Sequence, residues 1–269
     1  MNNELNEFIN GMKQRMAAAR FPVQKKNYQC AKCRDTGWLE YQDNGYTKLK
    51  RCDCWEVQES RRLLEQSGIS AEFQSKGFKN FETRNIPQLI SAKNKAIEYF
   101  QNFEKCENTK YNSILLCGQV GAGKTHLGIA ICSNLMSRRV PVIYMAYRNT
   151  VTKIKQKVTD EREYRKELEK YMQARVLYID DLLKGKITES DVNILYEIVN
   201  YRYMNKLPLI ISTEKSVSAL LDFDEAIASR MLEMCRGNIV KLQGEELNYR
   251  LNYRREEAGN AAVRNNSGN

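Results

Sequence analysis

The sequence predicts an α/β fold: a parallel sheet flanked by helices, preceded by a small helical module that carries clustered cysteines. Three apolar runs support that expectation. Ser113–Cys117 passes through a glycine loop into the helix-like His126–Met136. Arg175–Asp181 (Arg-Val-Leu-Tyr-Ile-Asp-Asp) ends in two acids, and Leu207–Ser212 (Leu-Pro-Leu-Ile-Ile-Ser) ends at Thr213-Glu214. Short apolar runs bounded by polar turns and separated by helical patterns read as buried parallel strands.

Taken in order, residues Asn3–Ala19 place Leu5, Phe8, Ile9, Met12 and Met16 at helical spacing, with Lys13 and Arg15 off the stripe. Such a helix either packs on the cysteine module or presents Met and Phe to a partner protein. Trp55–Gln66 reads as a second helix halted near Gly68. Phe78-Lys79-Asn80-Phe81 and the break at Asn85-Ile86-Pro87 mark a connector. The helix Leu89–Cys106 then precedes the glycine-loop strand, and Val140–Ala146 supplies another strand. Tyr147–Ala174 exceeds a minimal crossover and contains a mixed-charge helix, Asp160–Tyr171. Thr188-Glu189-Ser190-Asp191 resembles a capping box opening the helix Asp191–Met204. From Glu256 onward no apolar pattern remains, so the tail is expected to be disordered. The resulting organisation is a module at 1–70, a linker at 71–88, a main domain at 89–255 and a tail at 256–269.

The loop reads Gly118-Gln119-Val120-Gly121-Ala122-Gly123-Lys124-Thr125, followed by His126. Backbone N–H groups converge on phosphate oxygens only where the chain turns too tightly for most side chains, and a following helix offers its positive end to the anion. Residues 118–126 are therefore the expected nucleotide-binding segment of a P-loop. Lys124 reaches the β- and γ-phosphates of a nucleoside triphosphate, and the Thr125 hydroxyl binds Mg²⁺. Asp180 is the expected second Mg²⁺ ligand. Asp181 is the group expected to orient or deprotonate water, and Thr213-Glu214 brings further polar groups toward the terminal phosphate.

The formal charge is +10 and the pI about 9.1. This favours a polyanionic partner such as nucleic acid, or serves solubility alone. Arg148, Lys153, Lys155 and Lys157 appear before any acid in the 147–174 segment. They form either a solvated helix face or a contact for single-stranded DNA. No apolar run is long enough to span a membrane, and Met1-Asn2-Asn3-Glu4 lacks the layout of a signal peptide, so a cytoplasmic protein with no membrane partner is expected. Of eight cysteines, four cluster as Cys30-x2-Cys33 and Cys52-x-Cys54, separated by 18 residues. In a reducing compartment such clusters mean metal more often than disulfides. With the single histidine, His126, committed to the glycine-loop helix, Cys30, Cys33, Cys52 and Cys54 are the natural ligands of a structural Zn²⁺ in a ribbon or finger.

The order of these features resembles the DnaC/DnaI-type helicase loaders of the AAA+ superfamily. The resemblance is carried by the four-cysteine module, Phe78-Lys79-Asn80-Phe81, Gly-Lys-Thr-His-Leu at 123–127, Ile-Asp-Asp-Leu at 179–182 and Ala-Ile-Ala-Ser-Arg at 226–230. It implies an AAA+ P-loop ATPase that uses ATP and Mg²⁺ and self-assembles on ATP. Its partners would be a hexameric replicative DNA helicase and single-stranded DNA. It also implies that Arg230, or less strongly Arg236, acts on a neighbouring subunit's nucleotide. Arg250 of Tyr249-Arg250 would be a second-sensor arginine touching phosphate. The sequence departs from the family at three points: Thr213 or Glu214 stands where a sensor asparagine is usual, Asp181 replaces a longer glutamate, and the helical lid is abbreviated. Slow hydrolysis is the expected consequence.

An IstB-like transposition helper shares the ATPase features, and the cysteines ahead of Phe78 favour the loader. A zinc-containing DNA-binding regulator with weak ATPase is a third reading. A small-molecule kinase has no reason to carry a zinc module and a trans-acting arginine.

Overall fold

The computed structural model describes residues 28–65 and 76–251. The expected helix 3–19, the stop near Gly68 and the tail from 256 lie outside these residues. Two compact units are present, 1–53 and 54–269.

In the first unit the segment between the cysteine pairs is a hairpin, in keeping with the ribbon or finger expected there: β1 (Trp38–Asp43) and β2 (Tyr46–Arg51) pair antiparallel, with Asp43 opposite Tyr46. Asn44 and Gly45 both take positive φ, 50° and 83°. This is the geometry that suits a two-residue turn to the twist of a hairpin, and Asn-Gly is its strongest sequence signal. The hairpin has almost no core of its own, since β2 is exposed throughout. The buried side chains in this region are those of the cysteines.

The second unit opens with α1 (Trp55–Glu65), whose Val57 and Leu64 join the core beneath α2 (Pro87–Cys106). These apolar contacts place the boundary between units ahead of α1, nearer the N-terminus than the linker expected at 71–88. Pro87 starts α2, at a position where a missing N–H costs nothing.

Five parallel strands follow, β3 (Ile114–Gly118), β4 (Val142–Ala146), β5 (Val176–Leu182), β6 (Leu209–Thr213) and β7 (Ile239–Leu242), in the spatial order β4-β5-β6-β3-β7. Every residue of β3 and β6 is buried, as expected for strands covered on both faces. Side chains alternate between two cores. Ile114, Leu116 and Tyr178 pack with α2 and α3 (Lys124–Ser137) on one face of the sheet. Leu115, Cys117, Leu177 and Ile179 pack on the other face with α4 (Tyr147–Gln156), α5 (Glu161–Met172), α6 (Glu189–Met204) and α8 (Glu225–Met234). A short α7 (Val217–Phe223) precedes α8.

The expected capping box is present at α6: the Thr188 side chain accepts from the Asp191 backbone, and the Asp191 carboxylate accepts from Thr188 N–H at 2.9 Å. The long 147–174 segment resolves into α4 and α5, the latter capped by Asp160. Among the described residues no helix is long and apolar enough to cross a membrane.

Candidate functional site

The glycine loop joins β3 to α3 and opens onto a cleft of about 300 Å³. Val120–His126 line it, facing Asp181, Lys184, Glu214, Tyr249 and Arg250, with Phe81 and Arg84 from the connector. Gly123 sits at φ 87°, and a Cβ there would come within 2.7 Å of the Phe81 ring, so glycine answers both a conformational and a steric need. Lys124 is 6% exposed, and its ammonium donates to the carbonyls of Gly118 (2.8 Å) and Gln119 (2.6 Å). Burial lowers its pKa, against the opposing pull of Glu214 and Asp181.

Thr125 and Asp180 meet as expected, the hydroxyl donating to the carboxylate at 3.0 Å. Asp180 also accepts from Tyr178 (2.7 Å), Tyr144 (2.8 Å) and Ser212. The two tyrosines pack edge to face, 5.4 Å between ring centroids. Their role is not evident from any motif, though the signal was present. Tyr178 lies two residues before Asp180, on the same face of β5, and Tyr144 is its partner in register on β4.

Consecutive strand residues ordinarily point to opposite faces, yet Asp180 and Asp181 both serve this site. A register shift in β5 between Ile179 and Leu182 makes this possible. Asp181 takes φ 54° there, and its N–H donates to Ser212 Oγ at 3.0 Å. Lys184, which no motif singled out, bridges Asp181 (2.8 Å) and Glu214 (3.1 Å).

The remaining expected residues are placed unevenly. Arg250 lines the cleft, and Tyr249 N–H donates to Gly121 carbonyl at 3.1 Å. Gln119 turns away, its amide bonding the backbone of Gly244. Gly118 serves the cleft through the carbonyl that holds Lys124. His126 is half-buried; burial lowers its pKa, and the neutral ring donates Nε2–H to Gly77 carbonyl at 3.0 Å. Thr213 corrects the expectation. It is fully buried and donates to Leu182 carbonyl at 2.8 Å, bracing the β5–β6 register, while its neighbour Glu214 faces the cleft. Arg230 stands apart from the cleft on α8, over the rings of Tyr196 (5.5 Å) and Tyr203 (5.8 Å). Arg236 stacks on Tyr111 at 5.0 Å.

The basic run on α4 meets acids in the fold. Arg148 and Lys155 pair with the buried Asp191 at 3.4 and 3.0 Å, and Lys157 pairs with Glu163 and Glu167. Among the described residues Lys153 makes no such ion pair. The acids come from α5 and α6, later in the chain than the run itself.

The four clustered cysteines bring their sulphurs within 4.8 Å of one another, all buried. A tetrahedral Zn–S₄ centre with bonds of about 2.3 Å has sulphur–sulphur edges of about 3.8 Å. Cys30 and Cys52 stand 3.8 Å apart. Gly37 N–H donates to Cys33 Sγ at 3.4 Å and the Gln58 amide to Cys54 Sγ at 3.2 Å, contacts that suit thiolates. The donor set fits zinc.

A parallel sheet in this strand order, with a lysine-bearing glycine loop and a strand-end carboxylate, defines an AAA+ P-loop ATPase domain. Residues 53–257 match the family of the IstB-like ATP binding protein, and the chain belongs to that family. It is 36% identical over 256 residues to phage-like element PBSX protein XkdC of Bacillus subtilis (strain 168), covering 92% of this chain and 95% of that one. The crystal structure of the DnaC helicase loader is similar with a TM-score of 0.53 at 19% identity, covering 65% of this chain and 99% of that one. The crystal structure of DnaI is similar with a TM-score of 0.54 at 20% identity, covering 65% and 94%. At these identities the two structures speak to the fold.

Proposed function

We propose that this protein is an ATP-dependent loader of a hexameric replicative DNA helicase onto single-stranded DNA, acting when replication initiates. The observation that supports the reading most is the pairing of an AAA+ cleft with a four-cysteine hairpin. Cys30, Cys33 and Cys52 precede residue 53, where the IstB-like match begins, and Cys54 follows it by one residue.

In this reading Lys124 leaves the carbonyls of Gly118 and Gln119 to hold the β- and γ-phosphates. Thr125 and Asp180 hold Mg²⁺, with Tyr144 and Tyr178 fixing the carboxylate's direction. The ion, when bound, neutralises charge on the phosphates. Asp181 orients water from its bulge, Glu214 stands in the sensor position, and Arg250 meets phosphate from the C-terminal segment. Arg230, remote from its own cleft, acts on the cleft of the next copy in an ATP-dependent assembly. Cys30, Cys33, Cys52 and Cys54 bind Zn²⁺ and thereby build the surface that grips the helicase. The short Asp181 carboxylate, already shared with Lys184, makes for slow turnover, so ATP serves as a switch more than as fuel.

The test is helicase loading on circular single-stranded DNA with the full-length protein and its Cys30→Ser/Cys33→Ser variant. Loading should require ATP and should be lost in the variant while ATP binding persists, because metal binding supplies the hairpin's folding free energy. Elemental analysis should find one zinc per wild-type chain. Full loading by a zinc-free variant would overturn the role of the module. The family match favours a second reading, a transposition helper, which predicts stimulation of a transposase and no helicase retention on the circle.

A further inference from the structure

The turn that leaves β5 is built from left-handed residues. Asp181, Leu183 and Gly185 have φ of 54°, 59° and 86°, and Lys184 N–H closes the turn on Asp181 carbonyl at 3.1 Å. Such conformations are costly for aspartate and leucine, and they persist where the surrounding structure imposes them. The consequence is that Lys184 folds back over the cleft that Lys124 serves from below. Its ammonium lies 2.8 Å from Asp181 and 3.1 Å from Glu214.

The charge arrangement gives this placement a purpose. Three carboxylates, Asp180, Asp181 and Glu214, gather at one side of a cleft whose ligand is itself strongly anionic. Lys124 is one ammonium against all of them and is anchored from the buried side. Without a cation between them, Asp181 and Glu214 would repel a terminal phosphate at the cleft surface. An exposed lysine–carboxylate pair is weakly held, because solvent screens it. A terminal phosphate carries more negative charge than a single carboxylate and accepts a charge-assisted bond as well, so its arrival draws Lys184 from carboxylate toward phosphate. Of the other cations in the lining, Arg84 donates to Glu246 carbonyl at 2.8 Å and lies over the Tyr249 ring, and Arg250 comes from the C-terminal segment, whereas Lys184 is the cation in contact with both Asp181 and Glu214.

We propose that Lys184 is a specificity-determining residue that reads the terminal phosphate, making the cleft prefer a nucleoside triphosphate over the diphosphate. The proposal rests on the reading of this cleft as the nucleotide site. It is tested on the full chain by measuring the affinities of ADP and of a non-hydrolysable β,γ-methylene ATP analogue, both with Mg²⁺, by calorimetry. Lys184→Met should weaken the analogue by about tenfold, the worth of one partly screened charged hydrogen bond, with ADP changed by less than about twofold. Lys184→Arg should restore the preference. Equal weakening of both ligands, or no change in either, overturns the proposal. Should Lys184→Met melt earlier than wild type, the ratio measured in Lys184→Gln decides in its place. Lys124→Ala separates the two levels: if that variant binds both nucleotides normally, the site reading itself is wrong. If it binds neither while Lys184→Met retains the wild-type ratio, only the role of Lys184 fails.

Discussion

The glycine loop and helix α4 both stand out in the sequence, one by its glycines and lysine, the other by four basic residues ahead of any acid. In the loop the working groups are backbone and side-chain atoms of contiguous residues, and one short turn presents them to a single cleft. In α4 the meaning of the charges depends on partners far along the chain: Asp191 neutralises Arg148 and Lys155 from 36 to 43 residues away. A motif whose chemistry is local survives folding unchanged. A charge run is only as cationic as its tertiary neighbours leave it, and here they leave chiefly Lys153.

The comparison breaks most decisively at Lys124. Lys124→Ala removes the fixed ammonium opposite the phosphates and should weaken ATP binding on the order of 100-fold, measured by calorimetry, with the melting temperature unchanged or raised. A rise is reasonable because Lys124 is buried at some desolvation cost. Wild-type affinity in this variant would refute the loop's role. Asp181→Asn comes next. It keeps the shape of the bulge but loses the charge, so turnover should fall on the order of 100-fold, with nucleotide affinity nearly preserved. An equal loss in affinity would make Asp181 a binding group, not a water-orienting one.

The same distinction explains what could be read beforehand. Ser113–Cys117, Arg175–Asp181 and Leu207–Ser212 were recognisable as strands because buried parallel strands are continuous apolar runs, and the observed boundaries differ by a residue or two. Thr188 and Asp191 announced their capping box at a fixed local spacing. The hairpin is legible in the same way, through the two-residue turn signal Asn44-Gly45. Lys184 and Thr213 were not legible. Lys184 reaches Asp181 only because of a bulge and positive φ values that no propensity announces. Thr213 and Glu214 divide between core and cleft because the Thr213 hydroxyl bonds the Leu182 carbonyl inside the core while Glu214 faces the cleft.

A smaller effect sharpens the reading of α4. Each phosphate contact contributes about 0.7 to the log–log salt slope of single-stranded DNA binding. If the ion pairs hold in the complex, Lys153→Ala alone should lower the slope by about 0.7, and neutralising Arg148, Lys155 and Lys157 as well should add little. A drop of nearly 3 in the quadruple variant would mean that DNA outcompetes the acids and that all four bases touch phosphate.

Asp191 links both halves of that argument. Burial opposes its charge, but the Thr188 N–H, the Lys155 ammonium and the Thr188 hydroxyl outweigh it and hold the carboxyl below the ordinary aspartate value. A depressed native pKa means stability that is fully present above the unfolded value, 3.8, and lost as pH falls through the native one. Asp191→Asn should therefore cost about 1 kcal/mol near neutral pH, the usual worth of a helix cap, in urea unfolding. That difference should shrink as the pH drops below 3.8, where the wild-type carboxyl also loses its charge. The same variant releases Arg148 and Lys155, so its DNA salt slope should steepen, by up to about 1.4 if both reach phosphate. A stability cost with no change in slope would assign the two bases to the α4–α6 contact alone. A steeper slope would show that folding, through one buried aspartate, withholds cations that α4 otherwise offers to DNA.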